Sequence, residues 1–117
     1  MWKIRKGFTL VELIIVMSII GVLAGSTVLI SVNTNLQRGR DTKRKADLET
    51  IRSALEIYRS DLSAYPAGTG SLAPTYMGTV PTDPQTKQAY AYTPVGMAYT
   101  LCAVLENPAG PYCVNNP

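Results

Sequence analysis

The chain contains no histidine, two cysteines, one tryptophan and one phenylalanine among its 117 residues. Without histidine it lacks the commonest metal ligand and the side chain best suited to proton transfer near neutral pH. Two lone cysteines make a poor zinc set. No glycine-rich phosphate cradle is present, and no nucleophile has a base beside it, so nothing supports an enzyme. Internal repeats are absent too. The formal charge of +3 is carried entirely by Lys3, Arg5 and Lys6, and acidic and basic side chains balance in the rest of the chain. The basic balance therefore belongs to the first few residues and says little about nucleic acid.

What is present is one long apolar run. Residues 8–32 carry a single charged side chain, Glu12. About 25 residues make about 37 Å of helix at ~1.5 Å per residue, enough to cross a hydrocarbon core of about 30 Å. The run is longer than the apolar part of a secretory signal, and no small-residue cleavage site follows it. A single membrane-spanning helix is predicted. A carboxylate inside it costs about 3 kcal/mol even on lenient insertion scales, so Glu12 needs a reason. It stays solvated near the interface, or it pairs with a helix of another protein, or something positive is created nearby. The Gly7–Phe8 bond gives the third reading a chemical form. Cleavage after Gly7 would turn Phe8 into a new ammonium one helical turn from Glu12. A matched charge in an apolar bundle offsets desolvation and fixes how far one helix slides past the next.

The chain divides by pattern into a basic leader (1–7), the apolar helix (8–32), an amphipathic continuation (33–66) and a loop with a small sheet (67–117). Leu48, Ile51, Leu55, Tyr58 and Leu62 fall at spacings of three and four, the apolar stripe of a helix. Arg44, Lys45, Asp47, Glu49, Arg52, Glu56 and Arg59 fill much of the other face, and the pairs Arg52–Glu56 and Asp41–Lys45 sit one turn apart. Pro66 ends the helix, which would run for about 55 residues, or about 80 Å. Residues 67–87 are rich in Gly, Pro, Ser and Thr, with turns at Pro81 and Asp83-Pro84 and with Leu72, Tyr76, Met77 and Val80 pinning the loop. Tyr90 and Tyr92 alternate, and so do Tyr99, Leu101, Ala103 and Leu105 across a turn at Pro94-Val95-Gly96, which predicts a hairpin. A third strand would involve Tyr112 and Val114. The fold class is α+β: a long N-terminal helix against a small antiparallel sheet. Cys102 and Cys113 form a disulfide if that end faces an oxidising compartment, and are buried thiols otherwise. The basic residues of 38–45 lie beside lipid head groups, pair with Asp41, Asp47, Glu49 or a neighbouring copy, or meet nucleic acid. Without interleaved aromatics the last is the weakest of the three.

The stretch "KGFTLVELIIVMSIIGVLA" resembles the N-terminus of type IV prepilins and of type II secretion pseudopilins. The resemblance implies a leader ending at Gly7, cleavage before Phe8 by a membrane prepilin peptidase, N-methylation of the new Phe8 amine, and assembly guided by Glu12. "LETIRSALEIYRSDLSAYP", "VPTDP" and "YAYTPVGMAYTL" are similar to major pseudopilins and their relatives. Two departures stand out. Major pseudopilins bind calcium through acidic residues near the C-terminus, and none follows Glu106, so no cofactor is assigned and the calcium role is not carried over. The cysteine pair, in contrast, resembles type IV pilins. The proline common near the end of the membrane segment is also missing, so any helix loosening there would rest on Gly21, Gly25 and the β-branched residues.

The resemblance implies a structural subunit of a type IV pilus, with a major pseudopilin-like subunit of a type II secretion pseudopilus as the alternative. A membrane-anchored binding module and a DNA-uptake pilin are the readings of a different class. The implied partners are copies of the chain itself, the prepilin peptidase, an inner-membrane assembly platform and, before assembly, membrane lipid. The implied location is a single pass in the cytoplasmic membrane, followed by an extracellular or cell-surface filament.

Overall fold

The computed structural model describes residues 7–117, without the side chains of residues 27–31. The basic leader, Gly7 apart, lies outside the described residues. Five elements follow in order: helix α1 (Leu10–Leu62), a 3-10 turn η1 (Thr69–Leu72), and strands β1 (Ala91–Val95), β2 (Ala98–Glu106) and β3 (Ala109–Asn115). The chain divides into two compact units, Met1–Asn35 and Leu36–Pro117, and α1 contributes to both.

In the first unit the described side chains of residues 7–26 are all exposed, and Leu10, Leu13, Ile14 and Met17 are each more than half accessible. No proline interrupts the helix. The hydroxyls of Ser18 and Ser26 donate back to the carbonyls of Ile14 (2.7 Å) and Leu23 (3.1 Å), so neither needs an outside partner. Among the described residues no helix is long and apolar enough to cross a membrane. The span predicted at 8–32 lies in part outside the described side chains.

The second unit has one sheet in the order β1-β2-β3, antiparallel throughout. Tight connections build it. Gly96 takes the positive φ (59°) that the β1–β2 turn requires, and Asn107-Pro108 joins β2 to β3. Period-two alternation in β2 turns Tyr99, Leu101, Ala103 and Leu105 inward and leaves Ala98, Thr100 and Val104 outward. The inward face meets Leu48, Ile51, Ala54 and Leu55 of α1, with Leu72, Tyr90 and Val114 closing the sides of the core. Leu48, Leu55, Leu72 and Leu101 have no exposure at all, and each contributes about 1.5–3 kcal/mol by burial. Tyr65 packs edge-on against Tyr99, with ring centroids 4.8 Å apart. Pro94 and Pro111 fall on β1 and β3, the two edge strands, where a missing N–H removes no internal ladder bond.

Most of the predicted elements are found, and four details need correction. The stripe stops short of Leu62, which is 56% exposed. α1 ends at that residue and not at Pro66, because Ser63 turns into the left-handed region (φ 57°) while its N–H still reaches the Arg59 carbonyl. Tyr65 and Pro66 then enter the core side in place of another helical turn. The predicted ion pairs Arg52–Glu56 and Asp41–Lys45 are replaced by Arg52–Glu49, Arg59–Glu56, Arg44–Asp41 and Lys43–Asp47. Asp47 and Arg44 do not sit on a solvated face; both are buried. Leu72 pins the loop as expected, with Tyr76, Met77 and Val80 packed against the same core.

Cys102 lies directly opposite Cys113 in the β2–β3 register, and the two are disulfide-bonded. Closing a segment of this length stabilises by about 3 kcal/mol on the chain-entropy argument. Cys102→Ser with Cys113→Ser is expected to lower the urea-unfolding free energy of the detergent-solubilised full chain by about that amount, with secondary structure retained by circular dichroism.

Candidate functional site

Two clusters depart from ordinary packing, one in each unit. The first is the start of α1. Residues 7–9 are not helical, and α1 begins at Leu10, which makes Thr9 the N-cap. Its hydroxyl accepts a hydrogen bond from the Glu12 backbone N–H at 3.3 Å, and its carbonyl accepts from Leu13 N–H at 3.2 Å. Thr-x-x-Glu is the capping-box pattern, of which the threonine half is formed here and satisfies one donor that a helix start would otherwise leave orphaned. Sequence reasoning quoted this tetrapeptide but missed Thr9 as a cap, although the spacing of Thr9 and Glu12 carries the signal.

Around this cap the polar groups of the first turns are unequally served. Thr9, Ser18 and Ser26 are bonded to backbone. The Glu12 carboxylate has no hydrogen-bonding or ionic partner among the described residues, and it borders a shallow hollow with Gly7, Phe8 and Thr9. Phe8 is 84% exposed. The three residues expected to act together, Gly7, Phe8 and Glu12, are thus neighbours. A carboxylate at the third helical position also complements the positive end of the helix dipole.

The second cluster lies where α1, the loop before β1 and the end of β2 meet. Arg44 is 2% exposed, and all five of its N–H groups are used. Nε and Nη2 donate to the two oxygens of Asp83 (2.6 and 3.2 Å), Nη1 to Asp41 and Glu106 (both 2.8 Å), and Nη2 also to the Gln85 side chain (3.4 Å). Arg40 forms a second fork on Glu106, at 2.7 and 2.6 Å. The Asp41 carboxylate accepts from the backbone N–H of Glu106 (2.9 Å) and of Asn107 (2.7 Å), and so holds the β2–β3 turn. Asp83 also accepts the N–H groups of Gln85 and Thr86 at 2.8 and 2.9 Å, which closes its own turn. One turn further along α1, Asp47 receives Tyr90 OH at 2.7 Å and Lys43 at 3.2 Å.

Of the three readings of the basic residues in 38–45, this arrangement agrees with pairing to Asp41 and Asp47, and it adds Asp83 and Glu106 as partners. Arg40 and Arg44 are spent on internal carboxylates, and Lys45 lies 5.2 Å from the Tyr112 ring centre. The asparagine-free "VPTDP" segment was quoted as a turn, but its aspartate as an anchor for Arg44 was not legible, because the partners are 39 residues apart. Among the described residues no three or more His, Cys, Asp or Glu side chains are grouped so as to hold a metal ion. The acidic side chains that do converge, Asp41, Asp83 and Glu106, surround guanidinium groups.

The electrostatics follow from the bonds. Arg40 first, then Arg44, hold the Glu106 carboxyl down to about 2 against its burial. Arg44 and two backbone N–H groups hold Asp83 well below the usual carboxylate range. Burial pushes Asp41 up, yet the N–H groups of Glu106 and Asn107, with Arg44, outweigh it and leave the group lowered. Burial, reinforced by Asp47, pushes the Tyr90 phenol up.

A carboxyl whose folded value lies below its unfolded one stabilises above the unfolded value and ceases to do so as pH falls through the folded one. Stability is therefore expected to be flat from pH 8 to 5, where no histidine titrates, and to fall from about pH 4.5 towards 2. Chemical denaturation of the full chain across that range tests the sign. Arg44→Met, which takes the shared guanidinium from Asp41, Asp83 and Glu106, is expected to cost about 3–5 kcal/mol at pH 7. Arg44→Lys should recover only part of it, because an ammonium cannot reproduce the five-donor fork.

The comparisons with known proteins fall on the first cluster and beyond it. The family described as the prokaryotic N-terminal methylation motif matches residues 2–28. The chain is similar to the type II secretion system core protein G of Vibrio cholerae, 36% identical over 87 residues that make up 73% of this chain and 58% of that protein. It is similar to the core protein G of Pseudomonas aeruginosa, 36% identical over 63 residues (54% of this chain, 44% of that protein). The core protein G of Dickeya chrysanthemi is 37% identical over 71 residues (58% and 46%). The chain spans about half the length of the curated relatives it matches. No solved structure matches it significantly.

Proposed function

The chain belongs to the type IV pilin and type II secretion pseudopilin family, and on that premise we propose that it is a pseudopilin-like structural subunit of a secretion pseudopilus. Its leader is removed between Gly7 and Phe8 by a prepilin peptidase, and the new Phe8 amine is methylated. Before assembly the subunit is anchored in the cytoplasmic membrane by the apolar helix at 8–32. It then polymerises with copies of itself through that helix.

The observation that carries this reading is the Glu12 carboxylate, without a partner among the described residues, at the start of an apolar helix whose described hydroxyls, of Thr9, Ser18 and Ser26, bond to its own backbone. Leaving such a group without a partner in lipid is costly. A Phe8 ammonium, of the same or a neighbouring copy, is the partner that the cleavage creates. The pairing need not add much stability, since desolvation cancels most of the attraction. It penalises every sliding position of one helix against another except the matched one. Contacts of a head-to-tail, non-closing kind then give an open fibre.

The similarity to type II secretion system core proteins G favours a pseudopilus over the type IV pilus that the cysteine pair suggests. One observation keeps the pilus as a second reading: the Cys102–Cys113 disulfide ties the last strand to the sheet, in the manner the resemblance to type IV pilins implies.

Intact mass and N-terminal peptide mapping separate these outcomes. Chains starting at methylated Phe8 that are confined to the cell envelope fit the pseudopilus. The same chains in sheared surface filaments fit the pilus, and a chain still starting at Met1 rejects both. Gly7→Val is expected to leave the chain uncut. Glu12→Ala is expected to be cut and methylated yet to reduce assembled filament at least tenfold, scored by crosslinking ladders.

A further inference from the structure

We infer that Thr9 is a positioning residue for leader removal: by capping α1 it stops the helix two residues short of the scissile Gly7–Phe8 bond. The inference rests on the proposed processing and adds a residue to which that reading gives no task. A peptidase needs its substrate extended, with the scissile carbonyl and flanking N–H groups free for the enzyme. A helix closes those groups on themselves.

Two pressures would otherwise carry α1 backwards through Phe8. The residues that follow are Leu, Val, Ile and Met, which propagate a helix readily. In a lipid setting an unpaired backbone group is far costlier than in water, which favours adding another helical turn at the end. Against this, an N-cap residue holds non-helical backbone angles so that its side chain can reach the N–H two or three residues on. Thr9 does this: its Oγ1 accepts from Glu12 N–H at 3.3 Å, and residues 7–9 are outside the helix. Extending α1 by one residue would place Thr9 inside the helix and break that bond. The cap also fixes the Glu12 backbone as the third helical position, which keeps its carboxylate next to Phe8 in the hollow they share.

Capping and direct recognition of the side chain by the peptidase make opposite predictions for two substitutions. Valine copies the shape of threonine without the hydroxyl. Asparagine differs in shape but caps at least as well. The test expresses the full chain with a prepilin peptidase and measures the initial rate of conversion from the Met1 to the Phe8 form by intact mass. Thr9→Ser and Thr9→Asn are expected to be processed at the wild-type rate, and Thr9→Val and Thr9→Ala about two- to fivefold more slowly, the range that loss of one ordinary cap allows. Amide hydrogen exchange of the uncut Gly7→Val chain, with and without Thr9→Val, supplies a second readout. Capping predicts that Val11 and Glu12 gain protection when the hydroxyl is lost, because in a lengthened helix their N–H groups reach the carbonyls of Gly7 and Phe8.

Thr9→Val processed like wild type, or Thr9→Asn slowed as much as Thr9→Ala, would overturn the inference. Loss of protection at Leu10 to Leu13 in the valine chain would overturn it too, since the helix would then have frayed and not lengthened. A wild-type chain that is never cut rejects the processing reading itself, an outcome distinct from any of these.

Discussion

Burial of Arg44 is the constraint on which the second unit depends. Apolar packing is non-directional, so Leu48, Ile51 and Leu55 would meet the inward face of the sheet nearly as well if the helix were shifted by a turn. Arg44 removes that freedom. Its donors are all committed, to the helix itself through Asp41, to the loop before β1 through Asp83, and to the end of β2 through Glu106. A shift of one turn would leave a guanidinium in the interior facing groups that cannot accept from it. Ion clusters of this kind contribute little net stability over an apolar substitute; what they fix is position. Asp41 does the complementary task by receiving backbone donors from the β2–β3 turn, so two residues of one helical turn set where the sheet stands.

The two units treat charge in opposite ways. In Leu36–Pro117 every buried side-chain N or O atom has a partner among the described residues, the condition expected of a finished interior. In Met1–Asn35 the Glu12 carboxylate has no partner among the described residues. Sequences that fold well are consistent at every level, and the inconsistencies cluster where function lies. Glu12 is an inconsistency only for the isolated chain. On the proposed processing, its completion is the new Phe8 ammonium, which would explain why the cleavage motif and the charge stand side by side.

Periodicity made much of the fold legible. The stripe from Leu48 to Leu55, the alternation from Tyr99 to Leu105, the pinning role of Leu72 and the Cys102–Cys113 pair all follow from local pattern. The errors have one physical cause: local pattern does not report long-range partners. Arg44 and Asp47 look like members of a solvated charged face until Asp83, Tyr90 and Glu106 come to meet them from far along the chain. The end of α1 at Leu62 was missed for a related reason. Pro66 is a helix stop visible in sequence, but Ser63 adopts a left-handed conformation that its residue type does not announce, and the pull of Tyr65 into the core is tertiary. At the N-terminus the structure brings Gly7, Phe8 and Glu12 side by side because they are close in sequence, and the Thr9 cap is carried by its spacing from Glu12.

The two prolines of the sheet have a consequence at the level of many molecules. A three-stranded sheet offers two open edges, and a protein held at high density beside copies of itself exposes those edges to one another continually. Strand-to-strand templating between copies would propagate without limit and compete with any ordered arrangement. Pro94 and Pro111 place a missing donor and a fixed ring on each border, which interrupts such a ladder before it extends. Both borders of the sheet thereby resist edge-to-edge pairing under crowding, and on the proposed assembly the geometry of association is left to the helices.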